Sequence, residues 1–215
     1  MTLELREVSL AVEGKRLFGP LSLTVQPGEV VTLMGPSGCG KSSLLSFLCG
    51  TLEPAFSAEG QALLEGTSLL DLPPERRRLG ILFQDDLLFP HLSVGENLAF
   101  GLRPEVKGRG ERRARIEAAL GEADMAGFAD RDPATLSGGQ RARAALLRCL
   151  LSEPCALLLD EPFSKLDSEL RNRFRKFVFE HARAADLPTL LVTHDPLDAQ
   201  AAAGQVITLG SALTD

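Results

Sequence analysis

The chain has 215 residues, 44% of them apolar and 24% charged, with a net charge of −6. That composition suits a globular protein with a large core, and the acidic balance argues against a broad electrostatic footprint for nucleic acid. The four cysteines, at 39, 49, 149 and 155, show no C-x-x-C spacing and have no nearby His partners, which argues against a zinc site or disulfide framework and predicts reduced thiols. No apolar run approaches the roughly 20 residues that span a bilayer. Met1 to Arg6 also lacks the basic-then-apolar order of a signal peptide, so a cytosolic chain is expected, one whose membrane work would need a spanning partner.

Leu3 to Val12 and then Leu21 to Val25 alternate apolar and polar residues as half-buried strands do, with Gly14, Gly19-Pro20 and Pro27-Gly28 as punctuation. They predict an antiparallel β lobe leading into a buried strand at Val30 to Met34. The run Gly35-Pro36-Ser37-Gly38-Cys39-Gly40-Lys41-Ser42-Ser43 follows, and a helix is expected from there to about Cys49, with Gly50 past its end. Gln61 to Leu64 is a short strand candidate, Pro73-Pro74 opens a basic turn, and Leu79 to Phe83 is a buried strand ending on Gln84.

From Asp85 to about Leu150 the spacing becomes helical, over Val94 to Leu102, Glu111 to Ala123 and Arg141 to Leu151, with a Gly-rich link at Lys107 to Gly110. Strand and helix then alternate again: Cys155 to Asp160, Ser168 to Ala185, Thr189 to Thr193, Pro196 to Ala203 and Gln205 to Leu209. The pattern predicts an α/β domain with a mostly parallel central sheet. Residues 1–84 and 151–215 would form its core, and 85–150 an inserted helical subdomain.

The run at 35–43 sits where a buried strand hands over to a helix. Its glycines allow a tight turn that aims backbone N–H groups inward, and the helix start adds a partial positive charge. This is a cradle for phosphates, in which Lys41 would face the terminal phosphates and the Ser42 hydroxyl would ligate a magnesium ion. The strand 156–159 ends in Asp160-Glu161; it is expected beside the strand feeding the loop, so that Asp160 holds the magnesium and Glu161 orients the attacking water. Leu136-Ser137-Gly138-Gly139-Gln140 starts another helix, with Ser137 as N-cap, and makes a second anion site.

Leu-Ser-Gly-Gly-Gln between a phosphate loop and an apolar-Asp-Glu strand resembles the signature of ATP-binding cassette (ABC) ATPases. The resemblance covers nearly the whole chain. It implies the ABC form of the P-loop NTPase fold, ATP and Mg2+ as ligands, and contacts to nucleotide by every residue from Gly35 to Ser43 and from Ser137 to Gln140. Gln84 resembles the glutamine that contacts magnesium and water and senses the transmembrane partner. His194, after Leu190-Leu191-Val192-Thr193, resembles the switch histidine that meets the γ-phosphate, whereas His91 and His181 are taken as surface residues. Ser164-Lys165-Leu166-Asp167 resembles the loop after the acidic motif, with Lys165 where the family more often has Ala. At the position of the family's adenine-stacking aromatic stands Val12, with Phe18 as the nearest alternative.

The resemblance further implies a head-to-tail homodimer in which Ser137 and Gly139 of one copy meet the γ-phosphate held by the other. It also implies integral-membrane permease subunits, a substrate-binding protein acting through them, no nucleic-acid partner, and a place on the inner face of the cell membrane. The segment from Asp85 to Val94, rich in Leu and Phe, either receives a short helix of the permease or forms core of the insert. An importer of a small solute is the expected function; the alternative is a non-transport ABC ATPase acting on nucleic acid or the ribosome.

Overall fold

The computed structural model describes residues 1–83 and 85–210. They form two compact units, one made of 1–81, 155–161 and 179 onward, the other of 82–154 and 162–178. The helical unit therefore takes in residues on both sides of the strand that ends at Asp160.

In the first unit, β1 (Leu3–Val12) pairs antiparallel with β2 (Lys15–Val25) and with β4 (Phe56–Leu64), and β5 (Thr67–Ser68) completes a sheet of order β2-β1-β4-β5. Along β1 the buried residues are Leu3, Leu5, Val8 and Leu10, a change of parity after Leu5. An irregularity in the pairing between Leu5 and Val8, where Glu7 has φ 53°, resets the alternation so that both halves face the core. Gly19-Pro20, which reads as a break in the sequence, lies inside β2. The strand is at the sheet edge, where the missing Pro20 N–H removes no necessary ladder bond. Similarly, β4 begins five residues before Gln61, because pairing with β1 continues over Phe56 to Glu59, on the far side of Gly60.

The second sheet runs β6 (Leu79–Leu82), β7 (Ala156–Asp160), β8 (Thr189–Val192), β3 (Val30–Met34), β9 (Val206–Thr208). β3 is parallel to β8 and β9, and β7 is parallel to β8. β7 and β8 are buried at every position, which is why their sequences are apolar runs without alternation. The strand bearing Asp160 is not next to the strand feeding the phosphate loop, as expected from the sequence; β8 lies between them. Alternation and length carry no information about strand order, which only the crossover connections determine. Helix α1 (Lys41–Cys49) bridges the gap by packing against β7. Arg77 finishes it by donating to the carbonyls of Phe47 (3.0 Å) and Leu48 (2.6 Å).

The second unit is built from α2 (Val94–Gly101), α3 (Arg109–Glu122), α4 (Gly138–Leu150) and the first part of α5 (Ser168–Ala184). Its core joins Val94, Leu98, Ile116, Leu120, Met125 and Leu147. At its centre the fully buried Asn97 accepts from the Phe89 N–H (2.8 Å) and donates to the carbonyls of Phe89 (3.1 Å), Leu92 (3.2 Å) and Ser93 (3.0 Å). One side chain thus satisfies the backbone of the segment before α2. Asn97→Ala takes this partner from the Phe89 N–H and the Leu92 carbonyl, while the Phe89 and Ser93 carbonyls still accept from the N–H groups of Leu92 (3.2 Å) and Asn97 (2.9 Å); a buried group left without a partner costs about 1–3 kcal/mol. The variant is expected to lower the melting temperature clearly in a thermal scan, and an unchanged melt would show that the segment finds other partners.

Candidate functional site

The phosphate loop joins β3 to α1, with Pro36, Ser37 and Gly38 exposed and Cys39 and Gly40 buried. Gly40 is the N-cap of α1 at φ 92° and provides no side-chain cap, so the N–H groups of the first turn meet no hydroxyl or carboxylate of the cap residue. A Cβ at Gly40 would lie 3.0 Å from the Phe18 ring and 3.2 Å from Leu17 Cβ. Phe18 is therefore a wall under the loop. It is 7% exposed and belongs to the core, which removes it as a free platform for a base. Val12, the other residue at that position, is half-buried on β1.

Lys41 is buried, and its ammonium donates to the carbonyls of Gly35 (2.8 Å) and Pro36 (2.9 Å), with Cys39 Sγ at 3.8 Å. The cation thus ties the two ends of its own loop. All four cysteines are buried, and burial pushes the Cys49 thiol up to about 11.

The Ser42 hydroxyl, in the first turn of α1, faces the carboxyl of Asp160 at the end of β7. Burial is the largest influence on Asp160 and raises its pKa; the Ser42 hydroxyl lowers it, Glu161 raises it, and the Lys41 charge lowers it. A carboxyl whose folded pKa is raised contributes stability that is present below the ordinary carboxylate range and lost as pH rises through the folded value. Asp160→Asn is therefore expected to raise the melting temperature of the nucleotide-free protein at pH 7. The gain should shrink as the pH falls toward the ordinary carboxylate range, and a drop in melting temperature at pH 7 would contradict it.

Glu161 follows in the left-handed region at φ 48°, its N–H donating to the Val192 carbonyl at 2.9 Å. Its carboxylate, 19% exposed, places Oε1 2.7 Å from Nδ1 of His194, which is 68% exposed. The turn that presents His194 is held from behind. Thr193 Oγ1 donates to the buried Asp198 (2.7 Å) and accepts from the Asp195 N–H (3.1 Å), while Asp195 caps α6 (Pro196–Ala202) by accepting from Leu197 N–H (2.8 Å). Nothing in the sequence singled out Thr193 or Asp198 for this task. The first unit thus brings together the loop 35–43, Asp160, Glu161 and His194.

In the second unit, Ser137 is the N-cap of α4. Its hydroxyl accepts from Gln140 N–H (3.3 Å) while Gln140 Oε1 accepts from Ser137 N–H (2.9 Å), a reciprocal capping box. The helix begins at Gly138, directly after the N-cap expected from the sequence, with the two signature glycines in its first turn. A Cβ at Gly139 would lie 2.9 Å from Leu166 Cδ2, so glycine allows the loop after β7 to press onto the helix start. Gln84 lies outside the described residues. Of the segment from Asp85, Leu88 packs on the core, Phe89 and Leu92 are half-buried, and Leu87 and Phe100 remain exposed, the Phe100 ring meeting Phe89 edge-on at 4.8 Å. His91 is exposed, whereas His181, expected on the surface, is half-buried on α5.

Among the described residues no helix is long and apolar enough to cross a membrane, and no group of three or more His, Cys, Asp or Glu gathers to hold a metal ion. The Ser42 hydroxyl with the desolvated Asp160 carboxylate still offers the hard oxygen donors that suit magnesium, which usually keeps several waters and borrows phosphate oxygens.

The sequence profile of a family described as ABC transporter matches residues 18–164. The ABC transporter ATP-binding protein YnjD of Escherichia coli (strain K12) is 50% identical over 196 residues, covering 91% of this chain and 90% of YnjD. The putrescine transport ATP-binding protein PotG of Escherichia coli (strain K12) is 40% identical over 95% of this chain, which spans 53% of PotG. The sulfate/thiosulfate import ATP-binding protein CysA of Methylococcus capsulatus is 41% identical over 98% of this chain, which spans 61% of CysA. Among solved structures, a dimeric post-hydrolysis state of the ATP-binding cassette MJ0796 bound to ADP and Pi superposes with a TM-score of 0.85 at 29% identity, covering 97% of this chain and 96% of that one. The chain belongs to the ABC transporter family as an ATP-binding, ATP-hydrolysing subunit.

Proposed function

We propose that the chain drives import of a small solute, as a homodimer of ATPase subunits working on integral-membrane permease subunits at the inner face of the membrane. The observation that carries the reading is the grouping of Lys41, Ser42, Asp160, Glu161 and His194 in one unit, with Ser42 facing Asp160 and Glu161 2.7 Å from His194. The relatives whose names include import or transport of putrescine, sulfate or Fe(3+) ions support the importer class.

Each residue then has a task. Backbone N–H groups from Gly35 to Ser43 hold the phosphates, and Lys41 supplies a full positive charge beside them. Ser42, Asp160 and, by resemblance, Gln84 would hold Mg2+, which when bound neutralises phosphate charge. Glu161 accepts a proton from the attacking water while His194 steadies its carboxylate. The capped helix start Ser137–Gln140 of a second copy covers the γ-phosphate, so ATP favours the closed pair and hydrolysis loosens it. The exposed Leu87 and Phe100 beside Phe89 suit a helix of the permease, and a substrate-binding protein delivers the solute.

Light scattering of the Glu161→Gln protein is expected to give twice the monomer mass with MgATP and the monomer mass without it. Purification from membranes is expected to recover an integral-membrane permease. A mass that ignores MgATP removes the dimer, and recovery of ribosomes or nucleic acid in place of a permease overturns transport.

A further inference from the structure

Three segments of the helical unit meet around one carboxylate. Asp86, two residues after Gln84, has a side chain only 12% exposed, whereas its neighbour Asp85 is 89% exposed. One oxygen, Oδ1, lies 3.6 Å from Lys165 Nζ; the other, Oδ2, lies 3.5 Å from Arg141 Nε. Arg141 also donates to the Leu136 carbonyl at 2.7 Å, at the first residue of the Leu-Ser-Gly-Gly-Gln run. Two turns further along α4, Arg148 donates to the carbonyls of Leu87 (2.8 Å) and Asp86 (3.5 Å). Segment 85–87 is therefore laced along α4 by two arginines on one helix face.

The third segment is the loop after β7. Lys165 and Leu166 press on the start of α4 where Gly139 lacks a Cβ, with Lys165 O 3.4 Å and Leu166 Cδ2 2.9 Å from where that Cβ would be. Lys165 and Arg141 carry the same charge and converge on this helix start from opposite sides of Asp86. Without a carboxylate between them their repulsion would push the loop and helix apart, and a partly buried pair is screened by salt much less than an exposed one. Asp85, at 3.8 Å from Lys165, is too exposed to replace it.

We propose that Asp86 is a positioning residue for ATP hydrolysis: by holding Lys165 and Arg141 apart and in place, it fixes Lys165–Leu166 against the helix start Ser137–Gln140. This rests on the reading that the helix start covers nucleotide held by a second copy. Because Asp86 lies between Gln84 and the exposed Leu87 in the chain, the same carboxylate would pass a shift of the segment 85–87 to the helix start.

The test uses the Glu161→Gln chain, titrated with MgATP and followed by light scattering, alongside binding of MgATP to the chain at concentrations too low for pairing. Adding Asp86→Asn should raise the MgATP concentration needed for pairing about three- to tenfold, toward the lower end of the coupling between contacting residues. Lys165→Met should act in the same direction, and Lys165→Arg should retain pairing. Asp86→Asn with Lys165→Met should be no worse than Asp86→Asn alone, while binding to the unpaired chain stays unchanged. A merely structural role would weaken binding and pairing together and lower the melting temperature, which would overturn the proposal, as would effects that multiply in the double variant. Pairing that ignores Asp86→Asn overturns the proposal alone, and a Glu161→Gln chain that never pairs overturns the dimer reading and the proposal with it.

Discussion

Glu161→Gln is expected to slow ATP hydrolysis by at least about a hundredfold, because a positioned general base is typically worth 10² to 10⁴ in rate, while ATP remains bound. The substitution is nearly isosteric, and an amide can keep a hydrogen bond to His194 Nδ1, now 2.7 Å from the carboxylate. Backbone support is also untouched, since Glu161 N–H donates to Val192 O and needs no side chain for it. What is lost is the ability to take a proton. Single-turnover release of phosphate, measured beside equilibrium binding of ATP, separates the two properties, and near-normal turnover would remove Glu161 from the role. His194→Ala should weaken hydrolysis less than Glu161→Gln, because the histidine steadies the base and does not itself accept the proton in this reading.

Lys41→Met is expected to weaken ATP binding by about ten- to hundredfold, the range of a lost hydrogen bond to a charged group. Methionine keeps an unbranched apolar stem in the buried channel that the lysine occupies, so packing is little disturbed. Two effects add. The phosphates lose a full positive charge, and the Gly35 and Pro36 carbonyls lose the ammonium that now ties the loop ends at 2.8 and 2.9 Å. Lys41→Arg is not a rescue, because the planar guanidinium is larger and cannot occupy a point between two carbonyls as an ammonium does. Equilibrium titration with a fluorescent ATP analogue, with a melting curve as control, reads the change; unaltered affinity with an unaltered melt would remove Lys41 from phosphate binding.

Much of the site was legible before any coordinates because its chemistry is local. A phosphate cradle needs a buried strand, glycines and a helix start in consecutive residues, and Val30 to Cys49 supplies them in that order. The Ser137–Gln140 helix start is local too, since a capping box needs only residues three apart. Where local pattern misled, long-range packing was responsible. β4 gained five residues from pairing with β1, Gly19-Pro20 was absorbed into an edge strand, and Phe18 turned from a possible base platform into the wall beneath Gly40.

The sequence by itself determined the α/β class, the phosphate loop, the acidic strand end and the signature, because each is written in neighbouring residues whose spacing matches a helix or strand period. Only the tertiary structure decided that β8 separates β7 from β3 and that α1 nevertheless brings Ser42 to Asp160. It likewise decided that Glu161 bonds His194, 33 residues away, and that Asp86 lies between Lys165 and Arg141. Strand order and side-chain pairing depend on how crossovers and loops bring distant residues together, and periodicity along a chain carries no term for that distance.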